Sequence, residues 1–102
     1  MIQVALLVRL EAKPGKEQEV ETLLRSGLSI VQGELETITW YAIRLGSSTF
    51  GIFDTFPSDA ARNAHLSGQL AATLMAKASD LLAHPPTIEK VDILAAKLPE
   101  KL

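Results

Sequence analysis

Three side chains in this sequence can bind or deprotonate a small organic molecule: His65, Trp40 and Arg44. Because an unperturbed imidazole has a pKa of about 6.5, His65 is the candidate proton acceptor near neutral pH. Trp40 can stack on an aromatic ligand. Arg44, four residues farther along the same strand and on the same face, can anchor a phenolate or a carboxylate. The sequence therefore predicts a site with His65 as the catalytic residue and with Trp40 and Arg44 as substrate-binding residues.

Each of these residues also has a structural interpretation that the sequence leaves open. His65 can be a histidine at a helix end that is hydrogen-bonded locally or solvated. Trp40 can belong to the core or to a dimer interface, as a tryptophan in a strand commonly does. Arg44 can pair across a dimer with an acid such as Asp54 or Asp92.

Other chemistries have little support in the sequence. The chain has no cysteine, which excludes disulfides, Cys-ligated zinc, iron–sulfur clusters and thiol catalysis. The second histidine, His84, precedes two prolines at a predicted helix end, where a cation suits the helix dipole. No serine, histidine and acid are spaced as a hydrolytic triad, and the glycines form no phosphate loop. We expect no metal site and no cofactor.

Length and composition limit the class of protein. The 102 residues predict one domain, and 47% of them are hydrophobic, which is typical of a globular chain. A net charge of −2 argues against nucleic acid as a partner. The N-terminal segment lacks the features of a signal peptide, and no apolar run is long enough to cross a membrane. The sequence thus predicts a soluble cytoplasmic protein with no membrane partner.

The hydrophobic periodicity predicts alternating strands and helices. Residues 2–12 alternate as a strand does, with Ile2, Val4, Leu6, Val8 and Leu10 on the buried face. The remaining elements are a helix over 16–32, strands over 37–45 and 49–56, a helix capped by Ser58 that runs to 65–67, a helix over 69–83 and a strand over 87–97. The order βαββαβ predicts an α+β, ferredoxin-like fold, in which helices cover one face of a four-stranded antiparallel sheet.

The uncovered face of such a sheet predicts self-association. If the aliphatic face of the second strand packs on the helices, Tyr41 belongs to the core, and Trp40 and Arg44 point to the open side. An exposed tryptophan beside Leu7 forms an apolar patch that needs cover. The expected cover is a second copy of the chain, which makes the protein a homodimer. The phenylalanines are interpreted as packing residues, namely Phe50, Phe53 and Phe56.

Two segments carry a family resemblance: TWYAIRLGSSTFGIFDTFPSDAARNAHL at 39–66, which ends in Ala64-His65-Leu66, and PPTIEKVDILAAKLP at 85–99. Over about residues 2–98 the chain resembles the antibiotic biosynthesis monooxygenase family, whose small subunits form dimeric α/β barrels. The resemblance implies one such domain over 1–102.

The resemblance also implies a choice of activities. Members of the family include cofactor-independent monooxygenases that oxidise phenols or quinols with molecular oxygen, and others degrade haem. The haem-degrading pattern is not met, because the first strand has no asparagine and His65 falls where those proteins have a tryptophan. The implied function is oxidation of a small aromatic, quinol or polyketide-like substrate, with His65 as the base. The alternative is a non-catalytic dimeric module that binds a small ligand or acts in a stress response.

Overall fold

Four antiparallel strands form one sheet, and three helices cover one of its faces. The computed structural model describes residues 1–99. Its elements are β1 (Val4–Glu11), α1 (Glu17–Val31), β2 (Thr39–Arg44), β3 (Thr49–Phe56), α2 (Asp59–Leu66), α3 (Gln69–Leu81) and β4 (Thr87–Asp92). The strand order is β2-β3-β1-β4. This confirms the predicted α+β, ferredoxin-like βαββαβ fold with a four-stranded antiparallel sheet, in which the second helical region is divided between α2 and α3.

Local sequence signals explain where the helices begin. Gly15 has a φ of 86°, a conformation that glycine adopts without strain, and it turns the chain from β1 into α1. Glu17 and Glu19 lie in the first turn of α1, where negative charge suits the helix dipole. At α2, the Ser58 hydroxyl accepts a hydrogen bond from the Ala61 backbone N–H, as predicted for an N-cap.

The core lies between the helices and one face of the sheet. Its side chains come from alternate positions of β1 and β3 and from the inner faces of α1 and α3. The largest group of packed, buried residues is Val8, Leu10, Ala12, Val20, Leu24, Phe50, Ile52, Leu74, Leu81 and Leu82. A smaller group under α2 consists of Leu6, Phe56 and Ala61. The two groups fix the helices over the sheet by burial of apolar surface.

The predicted orientation of β2 is wrong. Trp40 packs against the core from the helix side, and its indole lies against Gly27 of α1. Arg44 points the same way and pairs with Glu21 of α1. Tyr41, predicted to be a core residue, is 53% exposed on the opposite face. The Trp40 indole lies on the helix side because Gly27, which has no side chain, leaves space for it under α1. Arg44 lies on the same side because its long aliphatic stem reaches the edge of the helix.

Two predicted element ends also differ from the structure. The last strand ends at Asp92 rather than near residue 97, because its partner β1 begins at Val4, which pairs with Asp92. Helix α3 ends at Leu81 rather than at 83. The chain turns away there because Leu82 bridges to Ala12.

None of the helices in the part of the chain that the structure describes is long and apolar enough to span a membrane.

Candidate functional site

A buried histidine lies between two carboxylates on the helix side of the sheet. His65, near the end of α2, directs Nε2 to Asp54 Oδ2 at 2.9 Å and Nδ1 to Glu34 Oε1 at 2.5 Å. Asp54 is 1% exposed and His65 is 9% exposed. We refer to Asp54, His65 and Glu34 as the carboxylate–histidine cluster.

Three different elements position the cluster. Asp54 is in β3, where its side chain follows Phe50 and Ile52 on the buried face. His65 is held against the Phe56 ring, with 5.2 Å between the ring centroids. Glu34 lies in the loop between α1 and β2. The cluster therefore ties a loop and a helix to the sheet.

A second side chain of the same loop orients Glu34. The Thr37 hydroxyl donates a hydrogen bond of 2.8 Å to Glu34 Oε1, the oxygen that contacts His65. This bond limits the directions in which the Glu34 carboxylate can turn. The loop is thus fixed to the helix through a short polar chain rather than through apolar packing.

The acid–base properties of the cluster follow from its burial. Burial raises the pKa of Asp54, although the hydrogen bond and charge of His65 act in the opposite direction. Burial lowers the pKa of His65, but hydrogen bonds and charges from Asp54 and Glu34 outweigh it, so the pKa is raised overall. A protonated His65 uses both ring N–H groups as donors to carboxylates. Neither nitrogen is then free to accept a proton.

Two buried polar atoms next to the cluster have no hydrogen-bond partner within the described protein: Trp40 Nε1 and Asp54 Oδ1. Trp40 and Asp54 are paired across β2 and β3, so their side chains lie on the same face. Buried polar groups normally have partners, so each unpaired atom needs an explanation. A third such atom, Arg62 Nε, belongs to a guanidinium that already bonds to Asp59 and to two sheet carbonyls.

Two surface grooves approach the cluster from opposite sides of the Glu34 loop. One has a volume of about 500 Å³, and its lining includes His65, Ala61 and Gly68. The other lies between the end of α1 and Trp40 and has a volume of about 240 Å³. Glu34 and Thr37 line both grooves. The loop over 32–38 therefore lies between the two grooves, and His65 borders one of them directly.

The structure brings two of the three predicted site residues together. Asp54 contacts His65 and pairs across the strands with Trp40, so these residues share one region. Arg44 lies four residues beyond Trp40, a distance of about 13 Å along a strand. There it pairs with Glu21, and its guanidinium stands 4.6 Å above the centre of the Phe50 ring. Arg44 is thus separate from the cluster.

Asp54 and Glu34 were not among the predicted site residues. The signal for Asp54 is its place in TFGIFDTF, where it follows Phe50 and Ile52 and precedes Phe56 at every second position. A charged residue at a buried strand position requires a partner. Glu34 has no comparable signal, because a glutamate in a polar loop is usually solvated.

The acidic and histidine side chains of residues 1–99 include no group arranged to hold a metal ion.

No protein-family model matches the chain, and no functionally curated protein matches it. Among solved structures, the NE2512 protein of unknown function from Nitrosomonas europaea is 55% identical over 97% of this chain and 96% of its own, with a TM-score of 0.95. The chain belongs to the same family as that protein.

More distant structures share the fold. A protein from Caulobacter crescentus CB15, provisionally named an antibiotic biosynthesis monooxygenase, is 18% identical with a TM-score of 0.79, over 92% of each chain. Another structure named antibiotic biosynthesis monooxygenase is 15% identical with a TM-score of 0.77, over 90% of this chain and 99% of its own. These similarities show an antibiotic biosynthesis monooxygenase-like fold.

Proposed function

We propose that the protein is a cofactor-independent monooxygenase that oxidises a small aromatic or quinol substrate with molecular oxygen. The observation that carries this proposal is His65, buried between Asp54 and Glu34, beside a carboxylate oxygen that has no partner among residues 1–99. The fold shared with proteins named as monooxygenases supports the same reaction class. Fold alone does not determine function, so the proposal depends on the cluster.

Oxygen chemistry without a cofactor places specific demands on a site. Ground-state oxygen is a triplet and reacts slowly with closed-shell organic molecules. A deprotonated phenol is electron-rich enough to give an electron to oxygen, so the protein has to remove a proton and exclude water. A buried base with a raised pKa meets the first demand. The apolar surroundings of the cluster meet the second.

Within this proposal, Asp54 is the residue that contacts the substrate. Its Oδ1 is free to accept a proton, whereas both nitrogens of His65 already face carboxylates. His65 is then a positioning residue that holds Asp54 Oδ2 and balances its charge. With Asp54 and Glu34 ionised and His65 protonated, the cluster has a net charge of −1. Accepting one proton brings it to zero, which favours proton uptake in a buried site.

The reaction balances without an external reductant. Asp54 takes the hydroxyl proton of a phenol-type substrate whose para carbon bears a hydrogen, and the phenolate gives an electron to oxygen. Recombination at the para carbon forms a C–O bond and a peroxide anion, which takes back the proton from Asp54. The hydroperoxide loses water as the O–O and C–H bonds break and a C=O bond forms. One phenol and one O₂ give one quinone and one H₂O.

The proposal assigns a role to one of the other two predicted site residues and none to the other. Trp40 borders the groove at the end of α1 and lies beside Asp54, so we assign it to substrate binding. Arg44 is engaged by Glu21 and lies far from Asp54, so the predicted role in anchoring the substrate has no support from its position.

Oxygen uptake by the purified, metal-free protein tests the proposal. The substrates are a panel of anthrones and of phenols whose para carbon bears a hydrogen, and ¹⁸O₂ labelling of the quinone product identifies oxygen incorporation. We expect His65→Ala and Trp40→Ala to lose activity and His84→Ala, which removes the exposed histidine, to retain it. No uptake above background with any substrate would contradict the proposal.

One observation favours a second candidate, a non-catalytic module that binds a small ligand. Both ring nitrogens of His65 are satisfied inside the chain, which also suits a purely structural cluster. Such a module would bind an aromatic ligand and release it unchanged in the presence of oxygen. Recovery of intact ligand after aerobic incubation would favour this candidate over the enzyme.

We also propose that the protein works as a homodimer formed through the uncovered side of the sheet. We define the open face as Leu7, Tyr41, Ile43, Phe53 and Val91, whose register places them on the side opposite the helices. Tyr41 is 53% and Ile43 37% exposed. Large side chains exposed together on one face mark interaction surfaces. Light scattering on the purified protein measures the oligomeric state.

A further inference from the structure

We infer that Trp40 Nε1 and Asp54 Oδ1 form a paired donor–acceptor site for a single hydroxyl group of an aromatic ligand. The indole N–H donates to the hydroxyl oxygen, and the hydroxyl hydrogen is donated to Asp54. The inference deepens the proposed function, because it rests on the same site, and names the ligand group that the site selects.

The two unpaired atoms are complementary in chemistry. An indole nitrogen is only a donor, and an ionised carboxylate oxygen is only an acceptor. A hydroxyl group is both, so one hydroxyl satisfies both atoms at once. Each atom has essentially no contact with solvent and no partner within the described residues. Leaving a buried donor or acceptor unpaired is unfavourable. A ligand that forms hydrogen bonds with both atoms therefore gains more binding free energy than a ligand that bonds to only one of them.

The two atoms also belong to residues that face each other on the same side of the sheet. Trp40 and Asp54 are direct partners in the β2–β3 ladder, where facing Cβ atoms are about 4.5–5.5 Å apart. The partner of the other Asp54 oxygen is fixed, because Oδ2 is bonded to His65 at 2.9 Å. The carboxylate is therefore held in one orientation, and Oδ1 cannot turn to His65 without loss of that bond.

A groove lies beside the indole. Trp40 forms part of the groove of about 240 Å³ at the end of α1, together with Ile38 and Thr37. The benzene-ring edge next to the indole nitrogen packs on Gly27, where an added Cβ would stand 3.4 Å from Trp40 Cζ2. The indole thus packs on α1 and also borders the groove.

The site has a predictable specificity. A site that is built to hydrogen-bond a hydroxyl discriminates strongly against an analogue that lacks it, because its buried polar groups are then left unpaired. The isomers p-cresol and anisole have the same atoms, but only p-cresol can donate a hydrogen bond. We expect p-cresol to bind at least about tenfold more tightly than anisole.

The chain contains one tryptophan, so its single indole N–H signal in a ¹H–¹⁵N spectrum reports on this site alone. Titrations under argon with p-cresol and with anisole exclude any oxygen chemistry. With p-cresol, we expect a saturable downfield shift of the indole signal. An unmoved signal, as bound water alone would give, would overturn the inference, and so would equal affinity for the two isomers.

Two variants sharpen the test. Asp54→Asn can turn an N–H donor toward the ligand, so the preference for p-cresol over anisole should fall from about tenfold to about onefold. Asp80→Asn, the same change at an exposed position of α3, should keep the preference. An unchanged preference in Asp54→Asn would contradict the inference, and a dispersed spectrum verifies that the variant is folded.

The inference and the proposed function can fail separately. Selective p-cresol binding without oxygen uptake with any substrate would leave the hydroxyl site standing and reject the monooxygenase. Oxygen-dependent turnover without discrimination between p-cresol and anisole would support the monooxygenase and reject the hydroxyl site.

Discussion

The covered side and the open side of the sheet are built from alternate residues of the same strands, yet their chemistry differs. The covered side holds the carboxylate–histidine cluster among buried apolar side chains. Among residues 1–99, the open side has Tyr41, Ile43 and Phe53 near its surface and no comparable buried charge. A protein usually places charge outside and apolar groups inside. This difference is the reason why we propose the chemistry on the covered side and the partner on the open side.

Removal of Asp54 should have the largest effect on the covered side. Asp54→Ala leaves His65 without the carboxylate at its Nε2, and breaking a buried ion pair in this way costs about 3–5 kcal/mol. Urea unfolding near neutral pH measures the loss. Asp80→Ala at an exposed position of α3 is the control, and we expect its effect to stay within about 0.5 kcal/mol. Similar losses in both variants would contradict a coupled cluster.

A charge on the open side should change association rather than folding. Tyr41→Glu places a carboxylate on a face that the proposed dimer buries, so we expect the dimer dissociation constant to rise by about 100-fold or more. Light scattering across a dilution series measures this rise. The unfolding free energy of the monomer should change by less than about 0.5 kcal/mol, since Tyr41 is exposed in the single chain. A wild-type protein that is monomeric at all concentrations would reject the proposed interface.

The stability of the covered side should depend on pH. Because the folded-state pKa of His65 is raised, its contribution is complete below the unfolded-state value of 6.5 and is lost as the pH rises through the folded-state value. The raised pKa of Asp54 also makes the unfolding free energy decrease as the pH rises, at pH values above 3.8. Urea unfolding from pH 6 upward should show a decrease in the unfolding free energy.

Two histidine variants separate this pH effect from other causes. His65→Gln should lose most of the decrease, and His84→Gln should keep it. The lowered pKa values of Glu11 and Glu21, which result from their side-chain hydrogen bonds, affect stability only as the pH falls below 4.5. A decrease of equal size in His65→Gln and the wild type would contradict the assignment.

The smallest effect is expected at Arg44. Its ion pair with Glu21 is partly exposed, with 47% of the Arg44 side chain accessible, and pairs of this kind contribute about 0–1 kcal/mol. Arg44→Ala should therefore lower the unfolding free energy by less than about 1 kcal/mol and leave oxygen uptake unchanged. A large loss of uptake would restore the predicted role of Arg44 in substrate binding.

The same comparison explains what could be predicted from the sequence. Residues 2–12 alternate clearly, so the buried face of β1 was predicted correctly. In β2 both faces contain large side chains, because Trp40 and Tyr41 are adjacent and Ile43 is next to Arg44. Periodicity cannot choose between two such faces. The choice depends on the space that Gly27 leaves under α1, which is a property of tertiary packing.

The site was predictable only in part for a related reason. His65 and Trp40 are distinctive residue types, and both lie in the region of the cluster. The partners of His65 are 11 and 31 positions away along the chain, at Asp54 and Glu34, and come together only when β3 and the loop before β2 meet α2. A single sequence does not specify contacts of this kind, although an aspartate at a buried strand position does indicate that a partner exists.

Oxygen uptake by Asp54→Asn, measured beside the wild type and Asp80→Asn with the best substrate found, tests the central proposal most directly. Asparagine preserves the shape of the side chain but cannot accept the substrate proton. We expect a loss of about 100-fold or more, as is typical when a general base is removed, with the fold retained and Asp80→Asn unaffected. Uptake by folded Asp54→Asn at the wild-type rate would contradict the assignment of the carboxylate–histidine cluster as the catalytic site.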